Sequence, residues 1–296
     1  MYTVKDVKEL REKTGAGMMD CKKALEACEG NMDKAVDWLR EKGIAKAQKK
    51  ASRIAAEGLT IGYSKDNEAI LFEINCETDF VTSSDKFKNL ALEIRDSLIE
   101  SHANTTEEAL EVKMKSGKTL SQLIIDATAT IGEKISFRRF SRITKKDDEV
   151  FGIYSHMNGS ITAVATLKGT NTAVAKDVAM QVAAMNPVAV TREEVPTEMV
   201  EHEREVIREQ VKNEANGKPE NIIEKMVDGK INKFYKEVVL NEQEFIKENK
   251  TSVCKYVEDN GCEVVSFVRL AVGEGIEKKQ ENFAEEVMSQ INGAAK

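Results

Sequence analysis

The chain repeats itself, and that duplication restricts the folds open to it. Tyr63-Ser64 recurs as Tyr154-Ser155, and the run Ile70, Phe72, Ile74, Cys76 recurs as Ile161, Ala163, Ala165, Leu167. A helical stretch with Phe87 and Ala91 has its counterpart around Val178 and Val182. The closing strand Ser136-Phe137-Arg138-Arg139-Phe140 matches Ser266-Phe267-Val268-Arg269-Leu270. Each copy is thus a strand–strand–helix–helix–strand unit, and the pattern predicts an α+β protein. Two antiparallel three-stranded sheets, each with helices on one face, are expected. In the first copy a hairpin is expected over 59–64 and 68–76, turning at Asp66-Asn67. There Ile70, Phe72, Ile74 and Cys76 alternate with Leu71, Glu73 and Asn75, so one face should be buried.

Other segments flank and interrupt the repeat. Before it, residues 1–55 predict a three-helix module and a tether. Val4, Val7 and Leu10 form one apolar stripe and Cys21, Ala24, Leu25 and Cys28 the next. A third helix, capped by Asn31, carries Met32, Ala35, Val36 and Leu39 and is expected to stop at Gly43. Core subdomains are expected over 56–143 and over 144–187 with 229–278. Between the last two lies a charged insertion, 188–228, with Val195, Met199, Val206 and Val211 on one limb and Ile222, Ile223, Met226 and Val227 on the other. A turn at Gly217-Lys218-Pro219 makes it a helical hairpin, either a solvated arm or a surface for another chain. An amphipathic helix with Phe283, Val287 and Ile291 is expected in 279–296.

Several functions are disfavoured. Net charge is −7 at pH 7, which opposes binding that relies on phosphate neutralisation. The basic run 46–53 reads as a solvated helix face, and no aromatic platform accompanies it. Five cysteines include no Cys-x-x-Cys pair, so reduced thiols in a cytoplasmic protein are expected, with Cys21, Cys28 and Cys76 in cores. His102, His156 and His202 show no metal spacing. Gly15-Ala16-Gly17 follows no strand, so it is no dinucleotide fingerprint, and no phosphate loop or local catalytic triad occurs. Neither a cofactor, a bound metal nor a membrane span is expected.

The stretch Asn75-Cys76-Glu77-Thr78-Asp79-Phe80-Val81 stands out. It places a carboxylate and a large aromatic on a connection between a strand and the helix announced by Thr82-Ser83-Ser84-Asp85. Phe80 either tucks under its own helix, with Asp79 as the cap, or reaches out to a partner. The second copy has Gly169-Thr170-Asn171-Thr172 at the matching place. A pair needed only for folding should recur in both copies, which favours a function confined to the first.

Two long motifs and several shorter ones identify a family. Leu10-Arg11-Glu12 with the stretch from Thr14-Gly15-Ala16-Gly17-Met18-Met19 through Leu25 resembles the N-terminal signature of the elongation factor Ts family. Cys76-Glu77-Thr78-Asp79-Phe80-Val81 resembles its second signature. Ile131-Gly132-Glu133, Gln181-Val182-Ala183-Ala184, the stretch from Glu224 to Gly229 and that from Val272 to Lys278 follow in family order. The resemblance implies a ubiquitin-associated-like module, a duplicated core and an inserted hairpin. It also implies a translation elongation factor active in protein biosynthesis in the cytoplasm, a guanine-nucleotide exchange factor without covalent chemistry.

The implied partner is elongation factor Tu, GDP-bound and nucleotide-free. Thr78, Asp79, Phe80 and Val81 would dislodge that partner's Mg²⁺. Arg11, Met18, Met19, Ile131, Gly132 and His156 would touch the partner, although Met19 suits the three-helix core equally well. Family members vary in self-association through the hairpin, and the resemblance leaves it open for 188–228 here. Three other readings are weaker. An adaptor built on the N-terminal module leaves the duplication unexplained, an RNA-binding factor conflicts with the charge, and a hydrolase has no motif.

Overall fold

A computed structural model describes residues 2–215 and 219–277. Helices α1 (Val4–Thr14), α2 (Met18–Ala27) and α3 (Met32–Lys50) come first. Strands β1 (Glu57–Lys65) and β2 (Glu68–Cys76) follow, then α4 (Asp79–Ser83), α5 (Asp85–Ile99), α6 (Thr106–Glu111), α7 (Leu120–Ile131) and β3 (Ser136–Thr144). The second unit runs β4 (Glu149–His156), β5 (Ile161–Lys168), α8 (Thr172–Met185), α9 (Thr197–Ala215), α10 (Glu220–Val238), α11 (Val253–Asp259) and β6 (Glu263–Ala271). Two antiparallel sheets result, ordered β1-β2-β3 and β4-β5-β6, so the duplicated α+β architecture is present.

The sheets pack face to face, and each carries helices on its outer face. Outside the first sheet, Ile70, Phe72, Ile74 and Cys76 meet Phe87, Ile94 and Leu98 of α5 and Leu120 of α7. Inside, Ala69 and Leu71 meet Val164, Leu270, Phe151 and Ile153 of the second sheet. The expectation that only one face of β2 is buried is therefore corrected: the second sheet covers Leu71, Glu73 and Asn75 as well. Thr60 and Thr162 hydrogen-bond across this interface, Oγ1 to Oγ1 at 2.9 Å. Glu73 has no exposed surface. Its carboxylate accepts from Arg138, Arg139, the Asn75 amide and the Gly273 N–H, the last at 2.8 Å. Burial alone would raise its pKa, but the Gly273, Asn75 and Arg139 hydrogen bonds prevail and hold it below the usual carboxylate range.

The alignment of the copies shifts once strand register is known. Tyr63 pairs with Ile70 and Tyr154 with Ala163, so Ile70 corresponds to Ala163 rather than Ile161. The cause is turn length: Lys65 pairs with Glu68 across two residues, whereas His156 pairs with Ile161 across residues 157–160. In this register the irregularities at Glu73/Ile74 and Thr166/Leu167 coincide. Phe140 then corresponds to Phe267, and Arg142 to Arg269, instead of the pairing by sequence.

Other expectations change for steric reasons. The third helix passes through Gly43 to Lys50, absorbing much of the expected tether. Gly43 is buried, and a Cβ there would lie 3.2 Å from the Ala129 Cβ, so the glycine admits α7 to α3 instead of ending the helix. Val7, Leu10, Cys21, Ala24, Leu25 and Ala35 form the small N-terminal core, while Val4, the first residue of α1, is exposed. Cys21 and Cys76 are buried and Cys28 is partly so. In the pair α9–α10, Ile207, Val211, Ile223, Val227 and Ile231 make the seam; Ile207, not Val206, points inward. Residues Gly217 and Lys218 of the expected turn and the C-terminal helix expected over 279–296 lie outside the described residues.

Candidate functional site

The residues after β2 form a short helix where a loop was expected. Thr78 is the N-cap of α4, so Asp79 is the first helical residue and not the cap. The cap hydroxyl does not bond its own helix. Thr78 Oγ1 donates instead to Glu133 Oε1 at 2.6 Å, and the N–H groups of Glu77 and Thr78 both donate to Glu133 Oε2 at 3.0 Å. In return Glu77 Oε1 accepts the Lys134 N–H at 2.6 Å. Hydroxyls of Thr82 and Ser83 donate to the Asp79 carbonyl, and Ser84 then caps α5.

Consecutive helical residues point roughly 100° apart, and α4 uses this to divide its side chains. Val81 is half-buried and packs on the first core, while Asp79 and Phe80 face outward. Phe80 is 84% exposed, which excludes the tucked-in alternative. Below it, the Cys76 thiol donates to the Thr78 carbonyl at 3.2 Å. Burial first, and the Glu133 charge second, push that thiol up to about 12, so it stays protonated and unreactive.

The basic run 46–53 is exposed at Lys46, Lys49 and Arg53, as a solvated face should be, yet several of its cations have partners. Lys46 pairs with Asp20, the Lys50 ammonium donates to the Gly132 carbonyl, and Arg53 pairs with Glu77 at 3.2 Å. Lys134 Nζ donates to the Arg53 carbonyl at 2.8 Å. These contacts join the end of α3, the end of α7 and the start of α4. A cleft of about 410 Å³ lies between α3 and α7, lined in part by Trp38, Lys42, Lys46, Asp20, Asp126 and Thr130. Its walls are partly neutralised, Lys46 by Asp20 and Lys118 by Asp126.

Ile131 and Gly132 sit at the end of α7, beside this junction. Ile131 packs on the first core, and Gly132 caps the helix at φ 92°. Arg11, Met18 and Met19 are exposed on α1 and α2, and Met19, at 62% exposure, is no core residue. Gly15, between those two helices, lies against Thr130 of α7. His156 ends β4, exposed and stacked on Tyr154 with ring centroids 6.0 Å apart. The turn after it packs on β1: Thr60 Oγ1 donates to the Gly159 carbonyl at 2.8 Å. Thr60 pairs with Glu73, three residues before Cys76, so His156 and α4 lie towards one end of the paired sheets.

Sequence reasoning missed the work of Glu77, Glu133 and Arg53, whose contacts link residues distant in the chain. Met157, beside His156, is 69% exposed at φ 47°, and the Asn158-Gly159 dipeptide after it is the sequence signal of that turn. Among the described residues no group of three or more His, Cys, Asp or Glu side chains could hold a metal ion, and no helix is long and apolar enough to cross a membrane.

Comparison with known proteins places these features in context. Residues 77–274 match the family model described as Elongation factor TS. The chain is 52% identical over 285 residues to a protein named Elongation factor Ts from Lactiplantibacillus plantarum, which covers 96% of this chain and 97% of that protein.

Proposed function

The chain belongs to the elongation factor Ts family, and on that premise we propose that it binds elongation factor Tu and speeds the release of GDP from it. Phe80 enters the partner near its nucleotide site as a wedge, with Asp79 beside it and with Thr78 and Val81 as the fixed base of the turn. The groups that hold the partner's Mg²⁺ are displaced. Loss of that ion removes positive charge that ties down the diphosphate. Arg11, Met18, Met19, Ile131, Gly132 and His156 supply further contact, the methionines as adaptable apolar surface. No bond of the nucleotide is made or broken by this chain. It acts in the cytoplasm on the GDP-bound partner, and its tightest complex is with the nucleotide-free one. Reciprocity then requires nucleotide to weaken that complex, so GTP binding releases the factor. The α9–α10 region is a candidate surface for self-association.

One observation carries this reading: a phenylalanine 84% exposed on a turn anchored from below. Leaving such a ring in water forgoes about 2 kcal/mol of burial free energy, a cost that folding alone does not explain. Stopped-flow release of a fluorescent GDP from elongation factor Tu tests it. The native chain is expected to accelerate release by orders of magnitude, and Phe80→Ala to lose about 100-fold of that, the scale of a misplaced positioning group, while still binding. No acceleration by the native chain would sink the exchange reading. Full acceleration by the variant would sink the wedge.

A further inference from the structure

We infer that Glu133 is a positioning residue for the exchange step, acting through the turn that carries Phe80; the inference rests on the exchange reading above. The two carboxylates Glu77 and Glu133 clasp opposite chain segments. Glu133 takes the Glu77 and Thr78 N–H groups and the Thr78 hydroxyl, and Glu77 takes the Lys134 N–H. All four donors lie at 2.6–3.0 Å. Thr78 gives up the usual capping bond to its own helix in order to join this clasp. The clasp sits immediately before Asp79, so it sets where α4 begins and in which direction it leaves β2.

The geometry of α4 shows why such a clasp is needed. The helix is five residues long, too short to hold itself in water. Its side-chain anchor to the core is Val81, about 100° around the helix from Phe80's exposed ring. An exposed ring on an unfixed turn would sample many directions, and ordering it on contact would consume part of the interaction energy. A turn fixed in advance leaves that energy for displacing the partner's metal. The clasp also reaches the end of α3 through Arg53 and Glu77, so docking of the N-terminal module and the aim of Phe80 share one anchor.

The test compares native protein, Phe80→Ala, Glu133→Ala and Glu133→Gln for stopped-flow GDP release over a range of factor concentrations. Glutamine keeps an acceptor for the two N–H groups, and its amide can donate to the Thr78 hydroxyl. Glu133→Ala is expected to lower the maximal release rate by tenfold or more, the scale of a lost positioning contact, with the half-saturating concentration nearly unchanged. Glu133→Gln should recover most of the rate. Amide hydrogen exchange at Thr78 should quicken in the alanine variant and stay slow in the glutamine variant.

A native rate in Glu133→Ala overturns the inference, as does a loss confined to the half-saturating concentration or a glutamine variant as slow as alanine. Failure of the exchange reading looks different: the native chain itself then accelerates nothing. If the native chain is active and only Phe80→Ala is silent, the clasp falls while the wedge stands.

Discussion

The two halves of the core solve one packing problem in different ways. At equivalent positions on the outer faces, the first sheet pairs Ile61 with Phe72 and the second pairs Gly152 with Ala165. The first half fills the space under its helices with large side chains, and Phe72, Phe137 and Phe140 lie in ring contact. The second half removes side chains and brings the helix down onto the strand. A Cβ at Gly152 would lie 2.0 Å from the carbonyl carbon and oxygen of Ala175 on α8. The connections differ too. The second strand of the first unit leads through α4 before the long helix begins, whereas β5 reaches α8 across residues 169–171. The second unit has no such helix, so α4 is particular to the first.

Substitutions at paired positions can break or sharpen this comparison. The largest effect is expected for Gly152→Ile, which installs the first unit's residue in the second. Overpacking costs about 1–3 kcal/mol where neighbours can shift, and here the obstacle is helix backbone, so more than about 3 kcal/mol should be lost in urea unfolding. A small loss would mean that α8 can lift from its strand. Next comes Glu73→Ala. Breaking a buried ion pair costs about 3–5 kcal/mol, but Arg138 and Arg139 retain 27% and 30% exposure, so about 2–3 kcal/mol is expected.

The pH dependence of that loss has a definite sign. A carboxylate whose folded pKa is depressed contributes fully above its unfolded value of about 4.5, and its contribution fades as pH falls through the lower folded value. The variant should therefore differ most from native protein near neutrality and converge with it in acid; a gap that is constant with pH would mean that the carboxylate's charge is not what matters. The smallest effect is expected at the matching position of the second sheet, Thr166. Its buried hydroxyl has no hydrogen-bond partner among the described residues, so Thr166→Val should be neutral or stabilising by up to about 1 kcal/mol. A clear loss would reveal a partner for that hydroxyl.

What could be read in advance follows the range of the interactions. Duplication, strand alternation and the helix pattern are local, and they were legible from Ile70, Phe72, Ile74 and Cys76 and from the caps. Sequence identity alone misaligns the copies, because a two-residue difference in turn length shifts every later residue. Alternation along β2 could not reveal burial of Leu71 and Glu73, since the covering sheet comes from residues far along the chain. Gly43 looked like a stop signal because a glycine that admits a neighbouring helix and one that ends a helix are identical in sequence. At the site, Asp79-Phe80 stood out as an uncommon pair with no counterpart in the second copy. The Glu77–Glu133 clasp did not, because its partners lie 55 to 57 residues apart.

The hydrogen bond from Gly273 to Glu73 spans 200 residues of chain. A ribosome releases the chain from its N-terminus, so the buried carboxylate emerges long before the amide that completes its shell. Until β6 arrives, the inner face of the first sheet has no finished cover and Glu73 can keep its water. The first unit can thus form its strands and helices early, but the seam between the sheets closes only when synthesis is nearly over. Contacts of such long range also slow folding, because loop closure must precede them. A nascent chain stalled before β6 would lack Val268 and Leu270 at this seam, leaving part of an apolar face uncovered, the kind of surface that chaperones hold.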